Sequence, residues 1–209
     1  PARIVNLALE TGCDALHPGY GFLSENPELA RLCEEKGIAY VGPSSAVIQR
    51  MGDKTEARKA MTVAGVPVTP GTDGNLADVD EAIVEAARVG YPVMIKATSG
   101  GGGRGMRVVE NEAGLVAAVE GAKREAGSSF GDDTVFLGRY VARARHVEIQ
   151  ILGDTHGALI HLGERECSIQ RRHQKIIEES PSPIVDHEMR AAMGDAAIAL
   201  GQAMGYQSA

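Results

Sequence analysis

The sequence contains no tryptophan and only three phenylalanines and five tyrosines in 209 residues. That leaves too few flat side chains for a platform that stacks bases. Cations are in the minority, with 21 Lys and Arg against 28 Asp and Glu and a formal net charge of −7. A general nucleic-acid binder works by neutralising phosphates, so this balance argues against one. Any phosphate site must be a local basic pocket in an acidic protein. Cysteine is scarce: Cys13, Cys33 and Cys167 lie far apart and form no C-x-x-C pair, which reads as reduced cytosolic thiols. No apolar run is long enough to span a bilayer and no signal peptide is visible. The expectation is a soluble, cytoplasmic chain that binds neither nucleic acid nor membrane.

What the sequence has in quantity is glycine, 26 residues, and they are concentrated where they matter. Residues 91–109 read Y-P-V-M-I-K-A-T-S-G-G-G-G-R-G-M-R-V-V. An apolar strand ends in Lys96, four glycines follow at 100–103, then Arg104 and Gly105, and a second strand resumes at Met106. Consecutive glycines cost backbone entropy and bury nothing, so a folded domain keeps them where side chains would obstruct something. Bare N–H groups between Lys96 and Arg104 suit a polyphosphate; a flexible hairpin tip with chance basic neighbours is the competing reading. The loop lacks the G-K-[ST] ending of a P-loop and opens no helix with G-x-G-x-x-G, so neither common nucleotide fingerprint applies.

Along the chain, a helix around Ile4 to Leu9 precedes a short strand at 14–16 and the glycine-punctuated loop H-P-G-Y-G-F-L-S at 17–24. Asn26 with Pro27 predicts a helix start and Gly37 its end; a second short strand follows at 38–41. Alternating strand and helix predict a parallel sheet covered by helices. A brief helix at 44–50 leads to another, with Asp53 at its N-cap and Glu56 completing a capping box. Lys54 stands in the first turn of that helix, against the dipole, a weak hint of a nearby anion beside the default of a solvated lysine. Residues 66–71, V-P-V-T-P-G, are a turn-rich domain boundary. Beyond it come a helix at 78–89, the glycine hairpin, a helix from about 111 to 126, a polar loop at 127–133 and a strand at 135–140, together a two-layer α+β unit the size of a lid. Strict alternation at 145–152 predicts Val147, Ile149 and Ile151 on one face and His146, Glu148 and Gln150 on the other. The polar face is either a solvated edge or a site wall. In an extended run Arg171, His173 and Lys175 would share a face, and Gln170 would not unless a turn or bulge intervened. Asp186 predicts the cap of a final alanine-rich helix to Met204, with no terminating signal after it.

Six segments in register resemble one family: H-P-G-Y-G-F-L-S-E-N at 17–26, G-P-S-S at 42–45, M-G-D-K at 51–54, I-K-A-T-S-G-G-G-G-R-G-M at 95–106, R-H-V-E-I-Q at 145–150 and E-R-E-C-S-I-Q-R-R-H-Q-K-I-I-E-E at 164–179. They look like the biotin carboxylase component of biotin-dependent carboxylases. The resemblance implies mixed α/β and α+β architecture: part of a Rossmann-like domain at 1–48, connecting helices at 49–68, an ATP-grasp lid at 69–141 and the first part of the ATP-grasp C-terminal subdomain at 142–209. It implies a ligase that uses ATP and bicarbonate to carboxylate biotin tethered on a carrier, through carboxyphosphate, in company with a carboxyltransferase and as a homo-oligomer. By the same resemblance Lys54 and Lys96 hold the ATP phosphates and Gly102 and Gly103 belong to the loop that closes over them. Gly138, Arg139, Tyr140 and Val141 form the hinge whose backbone reads adenine. His146, Gln170 and His173 contact the nucleotide, Glu148 supports them, and Lys175 is the catalytic residue that binds bicarbonate. Magnesium or manganese is implied, with ligands expected beyond Ala209, and no metal ligand is assigned within this sequence. One departure stands out: the family's hinge begins with glutamate and then Lys or Arg, and here the pair is Gly138 and Arg139. The alternatives are another ATP-grasp ligase, of the carbamoyl-phosphate or purine-pathway kind, and a non-catalytic nucleotide-binding module. Both ends read as cut from something longer, which predicts an inactive fragment.

Overall fold

Four aspartates and asparagines mark where helices begin, and each does so by taking up backbone N–H groups that no helical carbonyl can reach. Asn26 accepts from Glu28 and Leu29 at the head of α2 (Pro27–Lys36), and Asp53 from Thr55 and Glu56 at the head of α4 (Lys54–Val63). Asp78 accepts from Glu81 before α5 (Val79–Val89), and Asp186 from Met189 before α7 (His187–Met204). The capping box at Asp53 is only half made. Its own N–H donates to the Gln49 carbonyl, and Glu56 bonds Lys59 instead of reaching back. The computed structural model describes residues 1–99, 105–172 and 174–208, with the Lys54 side chain left aside.

The chain separates into two compact units, Pro1–Val66 with Glu148–Arg165 and Pro181–Ala209, and Pro67–Val147 with Glu166–Ser180. In the first, α1 (Ala2–Glu10) and α2 enclose a two-strand parallel sheet, β1 (Ala15–Leu16) beside β2 (Ala39–Tyr40). Val5, Leu16, Leu29, Cys33 and Ile38 fill the space between them. The expected parallel arrangement is what forms. α3 (Ser45–Gly52) and α4 follow. The same unit holds most of β6 (Val147–Gly153) and the first half of β7 (Leu159–Arg171), with α7 laid on them. That helix comes close because it presents glycine. A Cβ on Gly194 would sit 2.5 Å from the His161 ring, and one on Gly201 would sit 2.6 Å from Leu159. Contrary to the sequence reading, α7 has a stop signal: Gly205 takes the left-handed conformation at its C-cap.

The clean two-faced burial expected for β6 is not observed. Every residue from Val147 to Ile151 is half-buried, polar and apolar alike. Arg165 covers Glu148 and Gln150 on one side, and Ile151 packs at Gly201 on the other.

In the second unit β3 (Val93–Ala97) is the centre of an antiparallel sheet, flanked by β4 (Met106–Val109) and β5 (Val135–Arg139). Alternation decides its faces. Val93, Ile95, Val109, Val135 and Leu137 point into a core closed by α5 and by α6 (Leu115–Phe130). α6 starts after a single 3₁₀ turn, Glu112–Gly114, and outruns the expected end at Ala126 by a full turn. The residues read as a polar loop, Gly127 to Phe130, stay helical: the Gly127 carbonyl accepts from Gly131, the Ser128 hydroxyl donates to Glu125, and Gly131 supplies the left-handed cap. The last pair, β7 with β8 (Gln174–Glu179), forms an antiparallel hairpin.

Candidate functional site

On the face of the second unit's sheet away from α5 and α6, cross-strand neighbours collect around one cation. Lys96 on β3 lies opposite Met106 of β4 and Phe136 of β5, and Met94 lies opposite Val108 and Gly138. Lys96 is half-buried in this largely apolar surface. Lys96 lies two residues along the strand from the Met94–Gly138 position, a span of about 7 Å. The sheet therefore offers a flat apolar area at one end and a positive charge at the other.

β3 ends one residue after that lysine, at Ala97, and the residues flanking the glycine segment, its neck, are tied from both sides. Ala97 N–H donates to Gly105 O at 3.0 Å, Thr98 bonds Asn75 and Ser99 bonds Asp132. These hydroxyl contacts, from Ser99 first and Thr134 next, hold the Asp132 carboxyl below its ordinary pKa. Gly105 has φ 67° and a Cβ there would lie 2.7 Å from the Ala97 Cβ, so the neck admits only glycine. Gly102 and Gly103 of the expected phosphate loop lie outside the described residues.

At the hinge, backbone hydrogen bonds alternate in a way that leaves one donor over. Arg139 N–H donates to Pro70 O at 2.8 Å and Tyr140 N–H to Pro92 O at 3.0 Å. Among the described residues nothing accepts the N–H of Val141, which is exposed at the end of the run. The Arg139 side chain points elsewhere, donating to the Val89 carbonyl at 2.9 Å and so capping α5. Gly138 is not forced to be glycine: a Cβ there would meet only Pro70 O, at an ordinary 3.7 Å.

The β7–β8 hairpin resolves the puzzle of Gln170. The chain reverses at Arg172, whose φ is 52°, and the register slips twice, by one extra residue on β7 between Glu166 and Ile169 and by one on β8 between Ile177 and Lys175. Gln170 therefore faces Lys175 directly across the pair, and the two share a side. Gln170 also donates to the Cys167 carbonyl at 2.9 Å, and Lys175 stands 3.7 Å from Glu178. His173, expected with them, lies outside the described residues. His146 is exposed, and its backbone is held by Ser168 Oγ and by the Cys167 N–H. In the first unit Glu148 accepts from Arg165 Nε at 2.7 Å while Arg165 Nη1 bonds Gln150 at 3.0 Å. Glu148 and Gln150 are thus half-buried under Arg165, while His146 is exposed. The Lys54 side chain, like His173, lies outside what the structure describes.

Glu164 and Glu166 stand among arginines in the sequence, but which arginines hold them is not legible there. Glu164 is buried and takes both arms of Arg190 at 2.7 Å plus the Ser182 N–H. The Arg190 guanidinium holds its carboxyl down to about 2. Glu166, also buried, lies 3.8 Å from Arg145 and accepts the Ser168 hydroxyl. With Glu178 beside Lys175, each of these three acids already answers a cation. They do not fit as ligands for a divalent ion.

Comparison with known proteins matches residues 53–209 to the carbamoyl-phosphate synthase L chain, ATP binding domain, and residues 1–48 to the biotin carboxylase, N-terminal domain. Biotin carboxylase 2 of Bacillus subtilis is 50% identical over 207 residues, covering 99% of this chain and 47% of the relative. Biotin carboxylase 1 of the same organism is 52% identical, with 99% and 46% covered. The chain thus spans less than half the length of these curated relatives. Among solved structures, the biotin carboxylase domain dimer of Hydrogenobacter thermophilus 2-oxoglutarate carboxylase, in complex with MgADP, ADP and bicarbonate, is 51% identical with a TM-score of 0.89. It is covered to 46%, and this chain to 99%. A biotin carboxylase–ATP complex from Campylobacter jejuni gives 47% identity and a TM-score of 0.90, with 99% of this chain and 46% of that one covered.

Proposed function

The chain belongs to the biotin carboxylases, with their N-terminal domain at 1–48 and an ATP-grasp ATP-binding domain at 53–209, and from that premise we propose that it binds ATP and bicarbonate and carboxylates biotin carried on a partner protein or domain. The observation that carries the reading is the face of the β4–β3–β5 sheet away from α5 and α6, with Lys96 at one end and the Gly138–Val141 hinge at the other. Adenine lies against the apolar area around Met94 and Gly138, where the spare N–H of Val141 donates to a ring nitrogen. Its triphosphate extends toward Lys96, and the glycine segment that follows, with Gly102 and Gly103, covers it. Lys54 adds a second cation. His146, Gln170 and His173 contact the nucleotide, and Glu148, held by Arg165, supports them. Residues 69–141 act as the lid subdomain and 142–209 as the first part of the C-terminal subdomain.

Lys175 is the residue assigned to bicarbonate. An ammonium at that position attracts the anion and stabilises the charge that develops as a bicarbonate oxygen attacks the γ-phosphorus and ADP departs. The carboxyphosphate formed passes its carboxyl group to N1′ of biotin: the new N–C bond replaces the C–O bond to phosphate, and the inorganic phosphate that departs takes up the N1′ proton. Magnesium supplies charge neutralisation between the β- and γ-phosphates in such chemistry. Glu164, Glu166 and Glu178 stand beside Arg190, Arg145 and Lys175 and would not be the residues that hold it. The full assembly includes a biotin carrier and a carboxyltransferase, works as a homo-oligomer and resides in the cytoplasm.

The test is ADP release by the complete gene product with ATP, magnesium and bicarbonate, with and without free biotin. Biotin-stimulated release that Lys175→Ala abolishes supports the assignment. Bicarbonate-dependent release indifferent to biotin contradicts it and points to another ATP-grasp ligase. No release at all, with ATP still bound, points to a non-catalytic nucleotide module.

A further inference from the structure

The segment from Pro70 to Leu76 runs antiparallel along the edge of β5 that faces away from β3. Four contacts secure it: Arg139 N–H to Pro70 O at 2.8 Å, a bridge between Gly71 and Gly138, Thr72 N–H to Leu137 O at 2.9 Å, and Leu76 N–H to Val135 O at 2.8 Å. The hinge strand is therefore not an edge. Two side chains fix this segment. Thr72 is buried, and its hydroxyl accepts the Leu137 N–H at 3.2 Å while donating back to the Leu137 carbonyl at 3.3 Å. It stands where a neighbouring strand would place a carbonyl. Arg88, in the last turn of α5, donates to Gly71 O at 2.7 Å and is itself gripped by Glu85.

The structure assigns Thr72 and Arg88 the role of positioning residues for recognition of the nucleotide base, without touching it. This rests on the reading that the hinge binds a purine nucleotide. The reason is the glycine at the head of the hinge. With no side chain at Gly138, discrimination among bases falls to backbone groups at 139–141, and a hydrogen bond weakens steeply once its angle opens. The Val141 N–H is aimed by the two residues before it, whose own N–H groups are spent on Pro70 and Pro92. Pro70 is held by its neighbours Gly71 and Thr72, and these by Arg88 and Leu137. Loosening either anchor lets the donor wander and removes its preference for an acceptor.

Adenine and hypoxanthine separate this role from plain stability. N1 of adenine accepts a hydrogen bond, whereas N1 of hypoxanthine carries a hydrogen. A well-aimed N–H therefore favours ATP over inosine triphosphate. Affinities for both nucleotides are measured by calorimetry on the complete gene product and on Thr72→Val, Thr72→Ser and Arg88→Ala, beside thermal unfolding. Thr72→Val lowers the ATP-to-ITP affinity ratio by about tenfold, the scale of one lost or misdirected hydrogen bond, and Thr72→Ser restores it. Arg88→Ala, altering an exposed side chain, lowers the ratio in the same direction with little change in melting temperature, and it decides alone if the valine variant does not fold. A ratio unchanged in the variants, including a parallel loss of both nucleotides, overturns the inference. Failure of the unaltered protein to bind ATP instead overturns the nucleotide reading on which it stands.

Discussion

Replacing Lys96 by methionine separates the charge of that side chain from its bulk. The residue sits mid-sheet, opposite Met106 and Phe136, on the face away from the core formed by Val93, Ile95 and Leu137. An unbranched thioether of similar length fits among such neighbours, so β3 keeps its register, and thermal unfolding reads separately whatever the ammonium's own interaction within the protein contributes. Binding should respond differently. A charge-assisted hydrogen bond to a phosphate contributes about 1.5–3 kcal/mol. Because Lys96 is only half-buried, solvent screening favours the lower part of that range. A loss near 1.5–2 kcal/mol raises the Kd for ATP by roughly 10–30-fold. Calorimetric titration of the complete gene product with ATP, alongside thermal unfolding, reads both quantities. An unchanged Kd in a folded variant refutes the phosphate assignment. A fall in melting temperature that accounts for the lost binding makes Lys96 a structural lysine.

Three further outcomes follow from the geometry. The Glu164 carboxyl is held down to about 2 by Arg190, below its ordinary value near 4.5, so its stabilising contribution is fully present above the ordinary value. It is lost as pH falls toward 2; denaturant melts across that window should show Glu164→Gln less stable at neutral pH and converging on the unaltered protein in acid. Gly105→Ala forces a side chain into φ 67° and against Ala97; it should cost about 1–3 kcal/mol and speed hydrogen exchange at the Ala97 amide, while unaltered protection there would contradict the tied neck. Gly138→Glu adds a side chain whose Cβ has room and should tighten ATP binding severalfold, by about one hydrogen bond; a titration showing looser or equal binding would contradict a missing side-chain partner at the base.

What the sequence made legible was local. Asn26, Asp53 and Asp186 each cap the helix that starts one residue later, because a short polar side chain needs only its own backbone to do so; Asp78, read as the first helical residue, is a cap as well. The hairpin at 93–109 was legible from its two apolar runs and the glycines between them. Where a helix stops was less so. Gly127 looked like an end and Gly131 is the end, since a glycine halts a helix only if the chain turns left-handed there. Gly205 was overlooked for the converse reason. Partners distant in sequence were not legible at all. Thr72 answers Leu137 across 65 residues, and Arg190 answers Glu164 across 26. Gln170 was ambiguous because its side depends on a reversal at Arg172 and two register slips that no periodicity encodes.

The central claim is that the site joins the carbon of bicarbonate to biotin at the expense of ATP. Its most direct measurement is transfer of carbon label from bicarbonate to free biotin by the complete gene product, with ATP and magnesium present. Labelled carboxybiotin that requires ATP and disappears with Lys175→Ala is the expected result. ATP hydrolysis that proceeds with bicarbonate while biotin stays unlabelled would contradict it.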